Sequence, residues 1–338
     1  MNEVRTAVLG AGSWGIAVAN LLRKNSYEVS IWEFDSEACR YLQTHRELPA
    51  KLPGIKVDEA ITITNNLAES VRSADYVFCA VPAQYLRSAL VGSQLTDSGT
   101  KPVYVNLAKG IEVGSLMRMS EVIAERVPVE ARSGICTLSG PSHAEEVARD
   151  IPTAVTVAAD DIRIAEKIQN LFLTTNFRVY TTGDLAGVEL AGSLKNVIAL
   201  AAGMLDGLGL GDNTRGALIT RGLAEIVRLG AKLGADPLTF SGLAGIGDLV
   251  TTCLSKHSRN RYVGDQIGRG KKLEEVLSGM AMVAEGVETT RSARDLALKY
   301  HVEMPIAFEV YKVLFENKSP QKAIGDLMRR DQKQEKWG

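Results

Sequence analysis

Two sets of residues in this sequence have types and spacings suited to chemistry. The first is Gly10, Gly12 and Gly15 in GAGSWGIAVANLLRKN, directly after the run TAVL. Glycines so spaced permit a tight turn and close approach of backbone to an anion. An ordinary glycine-rich turn is the alternative, and the flanks decide: a strand pattern before, a helical pattern after, and a second strand pattern, EVSIW, beyond. Gly10 makes the turn, Gly12 brings backbone to a pyrophosphate, and Gly15 lets the helix pack on the sheet. The helix start offers free N–H groups and a positive dipole end, and Ser13 adds a hydroxyl. Glu33, in IWEFD, stands where a carboxylate accepts hydrogen bonds from a ribose 2′-OH and repels a 2′-phosphate. This predicts a preference for NADH over NADPH of one or two decades in kcat/KM, about 1.4–2.7 kcal/mol. Asp35 reads as the cap of a helix starting near Ser36.

The second set consists of charged residues among apolar neighbours. Lys195 lies in ELAGSLKNVIALAAGM, with Ala191, Gly192, Ile198 and Ala199 one helical turn away. Such a lysine either titrates low enough for proton transfer or snorkels to solvent. Asp248, in GLAGIGDLVTT, reads equally as a functional carboxylate or as a first-turn helix acid. In SKHSRNRYVG a new helix begins at Ser258, Arg259 and Asn260, whose donors suit a phosphate monoester; Arg261 reads rather as part of a solvated basic face. Lys109 follows one strand pattern, and Gly140, Ser142 and Ala144 follow another, where open α/β sheets bind ligands. His143 reads as a packing or capping residue.

The elements that must position these residues change character along the chain. Strand runs TAVLG, EVSIW, DYVFCAVP, PVYVNLA, GICTLSG, TAVTVA and FRVYTT alternate with helical patterns, which predicts a parallel sheet covered by helices. ELPAKLPGIKVDE, residues 47–59, reads as a surface loop. Beyond about residue 184 the pattern is helical throughout. The expectation is α/β: a doubly wound Rossmann-type N-terminal domain, 1–183, followed by an all-α C-terminal domain, 184–338. The 39 basic and 40 acidic residues balance, so no global field recruits nucleic acid or an acidic membrane. The four cysteines and four histidines are scattered, which predicts free thiols and no metal site. The run VIALAAGML is too short to span a bilayer, and MNEVRTAVLG lacks a signal-peptide core. A cytoplasmic protein is expected, and a homodimer is left open.

These stretches resemble, in order, the bacterial NAD(P)-dependent glycerol-3-phosphate dehydrogenases: GAGSWG, NLAKGIE, SGPSHAEEVA, ELAGSLKNVIALAAGM, GLAGIGDLVTTC, SRNRYVG and AEGVETT. The resemblance covers nearly the whole chain and implies a Rossmann-type domain plus a helical one. It carries cofactor roles to Ser13, Trp14, Lys109, Ala144, Arg259, Val283 and Glu285. Substrate roles fall to Lys109, Gly140, Ser142, Asp248, Ser258, Arg259 and Asn260, and the proton acceptor to Lys195. The implied reaction is hydride transfer between NAD or NADP and C2 of dihydroxyacetone phosphate, giving sn-glycerol 3-phosphate for phospholipid synthesis. Glu33 and Phe34 depart from the small and basic or polar residues that many members carry there. Two rivals remain: a 3-hydroxy-acid dehydrogenase, which Arg259 disfavours, and a dinucleotide sensor, which would lack the Lys195 and Lys109 pair.

Overall fold

The computed structural model describes residues 4–90, 100–332 and 334–335. It divides into two compact units, one of residues 1–108 and 119–185, the other of 109–118 and 186–338. A single cut between 183 and 184 puts Lys109–Arg118 in the first domain, but the chain packs that segment in the second unit.

The first unit runs β1 (Arg5–Leu9), α1 (Ser13–Lys24), β2 (Glu28–Trp32), α2 (Ser36–His45), β3 (Thr62–Thr64), α3 (Leu67–Val71), β4 (Tyr76–Cys79), α4 (Ala83–Ala89), β5 (Val103–Asn106), α5 (Met119–Arg126), β6 (Gly134–Ser139), α6 (Ala144–Val147), β7 (Thr153–Ala158), α7 (Ile162–Leu171) and β8 (Phe177–Thr182). The strands form one sheet in the order β3-β2-β1-β4-β5-β6-β7-β8. Through β6 this is the doubly wound dinucleotide-binding order. Central strands such as β5, Val-Tyr-Val-Asn, are buried at every position, as a sheet covered on both faces requires. Phe78, Phe172 and Phe177 pack ring against ring in its core.

Three features correct the sequence expectation. β3, a short Thr-Ile-Thr strand, adds an eighth strand at the sheet edge. β7 runs antiparallel to β6: the connection holds only the single-turn α6, too little to return the chain to the other end of the sheet. The helical pattern at 114–127 forms a helix only from Met119.

The second unit is helical: α8 (Leu185–Gly207), α9 (Asp212–Lys232), α10 (Asp248–Leu254), α11 (Arg259–Gly268), α12 (Leu273–Ser278), α13 (Glu285–Tyr300), α14 (Pro305–Phe315) and α15 (Pro320–Met328). α8 is its central rod. At 23 residues it is long and apolar enough to cross a membrane, but its most apolar stretch is wholly buried, which makes it a core helix. Glycines let α11 lie directly on it: a Cβ on Gly203 would come within 1.9 Å of the Arg261 carbonyl oxygen, and one on Gly264 within 2.0 Å of that of Leu200. Asp206 of α8 adds hydrogen bonds from Arg215 and Arg261, both 2.6 Å. Arg261 is thus a tie between helices, not a solvated charge. The four cysteines are buried and form no disulfide.

Candidate active site

In the first unit the glycine turn follows the end of β1. Gly10 adopts φ +106°, and a Cβ on Gly15 would lie 2.0 Å from the Gly10 carbonyl oxygen, so neither position admits a side chain. Gly12 is the N-cap of α1, and its side has open space: a Cβ there meets nothing within 4 Å. No side chain caps α1 and no acidic residue occupies its first turn, so the positive end is uncontested. Trp14 leaves its buried indole N–H without an acceptor among the described residues. An open cradle, uncapped N–H groups and an orphaned donor fit a dinucleotide diphosphate. Ser13 is engaged otherwise: its hydroxyl donates to the Lys51 carbonyl oxygen at 2.6 Å.

Glu33 follows β2 and is buried at 6% exposure. Its carboxylate accepts from the Asp35 N–H at 3.2 Å and from the Lys51 ammonium at 3.0 Å. Lys51, in the loop after α2, escaped the sequence reading. Asp35 caps α2, accepting from the Ala38 N–H at 2.7 Å. Gly140 and Ser142 follow β6, with the Ser142 hydroxyl donating to the Gly140 carbonyl at 3.0 Å. Ala144 opens α6, and His143 is its N-cap residue.

The second unit holds the charged cluster. α8 carries Lys195 at 5% exposure and α10 opens with Asp248 at 2%. Lys195 Nζ donates to Asp248 Oδ1 and to Thr252 Oγ1, each at 2.6 Å. Lys109 Nζ donates to the other carboxylate oxygen, Oδ2, at 2.8 Å. One carboxylate thus bridges two lysines. The Thr252 hydroxyl, one turn along α10, donates to Asp248 Oδ1 at 3.1 Å and completes the ring. Burial, helped by the Lys109 charge and opposed by Asp248, brings Lys195 down to about 8. Burial pushes the Asp248 carboxyl up, but the two ammonium groups outweigh it and hold it below its ordinary value. Lys195 is thus held well below the ordinary lysine value.

The segment bearing Lys109 is fixed by its backbone. Lys109 N–H donates to Glu285 at 3.1 Å, and the Lys109 carbonyl accepts from Asn196 Nδ2 at 2.9 Å. Asn196, adjacent to Lys195 in sequence, is a positioning residue that sequence reasoning missed, as it missed the Thr252 contact with Lys195. Further along, Ser258 caps α11 by accepting from the Arg261 N–H at 3.2 Å. Asn260 accepts the Gly286 N–H at 2.9 Å, which leaves its amide hydrogens as donors. Arg259 donates from NH1 to the Val283 carbonyl at 2.8 Å. Lys109, Asp248 and Lys195 thus come together as one cluster. Arg259, Asn260, Val283 and Glu285 meet around the starts of α11 and α13. Of the residues expected at the cofactor, Lys109, Arg259, Val283 and Glu285 belong to the second unit; of those expected at the substrate, Gly140 and Ser142 belong to the first. Among the described residues no three His, Cys, Asp or Glu side chains group as metal ligands.

Residues 5–165 match the family model for the NAD-dependent glycerol-3-phosphate dehydrogenase N-terminus, and 184–325 that for its C-terminus. The glycerol-3-phosphate dehydrogenase [NAD(P)+] of Citrifermentans bemidjiense is 50% identical over 331 residues, 98% of each chain. That of Bacillus licheniformis is 49% identical over 96% of this chain and 94% of its own. The crystal structure of the Coxiella burnetii glycerol-3-phosphate dehydrogenase superposes with a TM-score of 0.92 at 35% identity, covering 97% of this chain and 99% of that one. The chain belongs to the NAD-dependent glycerol-3-phosphate dehydrogenase family.

Proposed function

We propose that this enzyme reversibly reduces dihydroxyacetone phosphate to sn-glycerol 3-phosphate with NADH or NADPH, supplying the glycerol backbone for phospholipids. The observation that carries the reading is the Lys195 ammonium, buried against Asp248 and Thr252 and brought down to about 8. Bound at the glycine turn, the dinucleotide supplies the hydride. Lys195 gives a proton to the alkoxide oxygen developing at C2 and takes it back in the reverse direction. Its charge also stabilises that oxyanion. Asp248 holds both lysines in register, and Lys109 orients the substrate hydroxyls. Arg259, Asn260 and Ser258 supply donors for the phosphate, remote from the reacting carbon, where binding energy serves positioning. Gly140 and Ser142 fall on substrate positions of the family, and Trp14, Ala144, Val283 and Glu285 on cofactor positions. The reading puts the enzyme in the cytoplasm with small-molecule partners; light scattering decides whether it is a homodimer.

The test is direct. Purified protein mixed with NADH and dihydroxyacetone phosphate should deplete the absorbance of the reduced nicotinamide. Unphosphorylated dihydroxyacetone should react very poorly. No turnover with the phosphorylated substrate and either cofactor would overturn the reading.

A further inference from the structure

Residues 109–118 bring Lys109 to the charged cluster, and two helices grip this segment in a regular way. It is a hairpin: Ile111 and Arg118 pair as an antiparallel bridge, and the Glu112 N–H donates to the Met117 carbonyl at 3.0 Å. Its turn uses Gly114 at φ +87° and Leu116 at φ +61°. Leu116 packs on the apolar core of the second unit, which offsets the cost of a left-handed leucine. α13 holds the outgoing leg. Glu285 accepts the Lys109 N–H, and Ser292, seven residues on, donates to the Ile111 carbonyl at 3.0 Å. α8 holds both legs. Asn196 donates to the Lys109 carbonyl, and Glu189 accepts from Arg118 Nη1 at 3.1 Å. Glu189 and Asn196 are also seven residues apart, nearly two turns, so they leave the same face of α8 about 10 Å from each other. The Glu189 side chain is 3% exposed. Desolvation makes such an ion pair a poor source of stability. What it adds over an apolar contact is a fixed register between hairpin and helix.

We propose that Arg118 and Glu189 are positioning residues for the reaction: they fix the returning leg of the hairpin on α8 and so hold the Lys109 ammonium on Asp248. The proposal rests on the dehydrogenase reading above. The effect passes through backbone, since Arg118 lies opposite Ile111, two residues from Lys109. Once the returning leg is released, Lys109 leaves Asp248 Oδ2. That departure is felt at Lys195, which faces Asp248, Lys109 and the Cys253 thiol. Burial pushes this thiol up to about 12, so it stays uncharged. Burial chiefly brings Lys195 down, against the pull of Asp248, and the Lys109 charge adds to it. Withdrawing that charge lets Lys195 titrate higher.

The experiment is the pH profile of kcat/KM for dihydroxyacetone phosphate reduction by the full-length protein, with denaturant midpoints measured alongside. Arg118→Met should lower kcat/KM about 10- to 100-fold, as a displaced substrate-orienting group does. It should also move the high-pH limb upward, by about 0.5–1 in pH. Arg118→Lys should return the limb to the parent position, since its ammonium can take the same carboxylate. Arg118→Met leaves a bare buried carboxylate. Combining it with Glu189→Gln removes that charge, and the midpoint should recover while the limb stays displaced. In a Lys109→Met background the limb is already high, and adding Arg118→Met should not move it further. A lower midpoint with the limb in place would assign the pair to stability alone and overturn the proposal, as would a limb that moves equally in both backgrounds. If the parent does not turn over dihydroxyacetone phosphate, the dehydrogenase reading itself falls and takes this one with it.

Discussion

The two units build their polar sites from opposite materials. In the first, the anion cradle is backbone: a left-handed Gly10, an N-cap at Gly12 and the uncapped start of α1, with no charged side chain in the turn. In the second, the site is side chains: three charged groups and a hydroxyl, held on α8, α10 and the segment before α5. The difference follows from the task. A diphosphate changes little during reaction, so fixed N–H dipoles at a glycine turn suffice and need no titration. A proton must move at C2, so the second site needs a group that titrates near the working pH. Water would leave a lysine far too basic. Burial on an apolar helix brings Lys195 to about 8, and Asp248 keeps the buried charge from being ruinous.

The comparison predicts that the charge-built site breaks when one charge is removed. Lys195→Met retains bulk and length but no ammonium, so kcat should fall ~10²–10⁴-fold. NADH affinity, measured separately by calorimetry, should hardly move. Near-parent turnover in this variant would exclude Lys195 as the acid and base. Arg259→Ala removes the charge proposed to hold the substrate phosphate. Its KM for dihydroxyacetone phosphate should rise roughly 10- to 100-fold, the worth of a charge-assisted hydrogen bond, with a smaller change in kcat. Steady-state kinetics showing parent and variant alike would mean that Arg259 is not the phosphate anchor.

The backbone-built site should break by the reverse operation, adding an atom. Gly15→Ala places a Cβ 2.0 Å from the Gly10 carbonyl oxygen, and backbone there has nowhere to go. A loss of about 1–3 kcal/mol in stability is expected, read as a lower denaturant midpoint. Gly12→Ala is the control. Its Cβ meets nothing within 4 Å, so stability should hold while dinucleotide affinity falls from crowding at the diphosphate. Equal stability losses in both would show that Gly12 is as crowded as Gly15, and an unchanged dinucleotide affinity in Gly12→Ala would show that its open side has no binding role.

The same contrast explains what the sequence made legible. The glycine turn is local: its spacing and flanking patterns lie within a few residues, and the structure repeats them in β1, α1 and β2. Lys195, Asp248 and Lys109 were each conspicuous as charges in apolar settings, yet nothing local says that one carboxylate bridges both lysines. Thr252 and Asn196 were invisible for the same reason, since a threonine or asparagine in a helix is unremarkable until its partner is known. Lys51 lay in a segment that read only as a loop. β3 is too short and too polar at its ends to give a pattern, and the reversal of β7 depends on the length of α6, which a motif does not report. Local geometry was readable; long-range pairing of polar groups was not.

The smallest predicted effect concerns the hydroxyl that completes the charged ring. The proposed role of Lys195 requires its protonated form in the reductive direction, so kcat/KM should be level at lower pH and fall as pH rises through about 8. In the oxidative direction the neutral amine is required, and the limb should rise through the same pH. Folding stability follows the same group. Its folded pKa, about 8, lies below the ordinary lysine value of 10.5, so the unfolded chain binds more protons between them and stability rises with pH across that window. Thr252→Val removes an acceptor 2.6 Å from the ammonium and replaces it with a methyl of similar shape. The charged form loses more than the neutral one, so the Lys195 pKa should drop further, by about one unit or less, a shift worth up to 1.4 kcal/mol. Both kinetic limbs should then move to lower pH together, with only a few-fold change in the plateau rate. A limb that stays in place, or moves to higher pH, would show that Thr252 does not tune the lysine and that Asp248 and burial set its pKa by themselves.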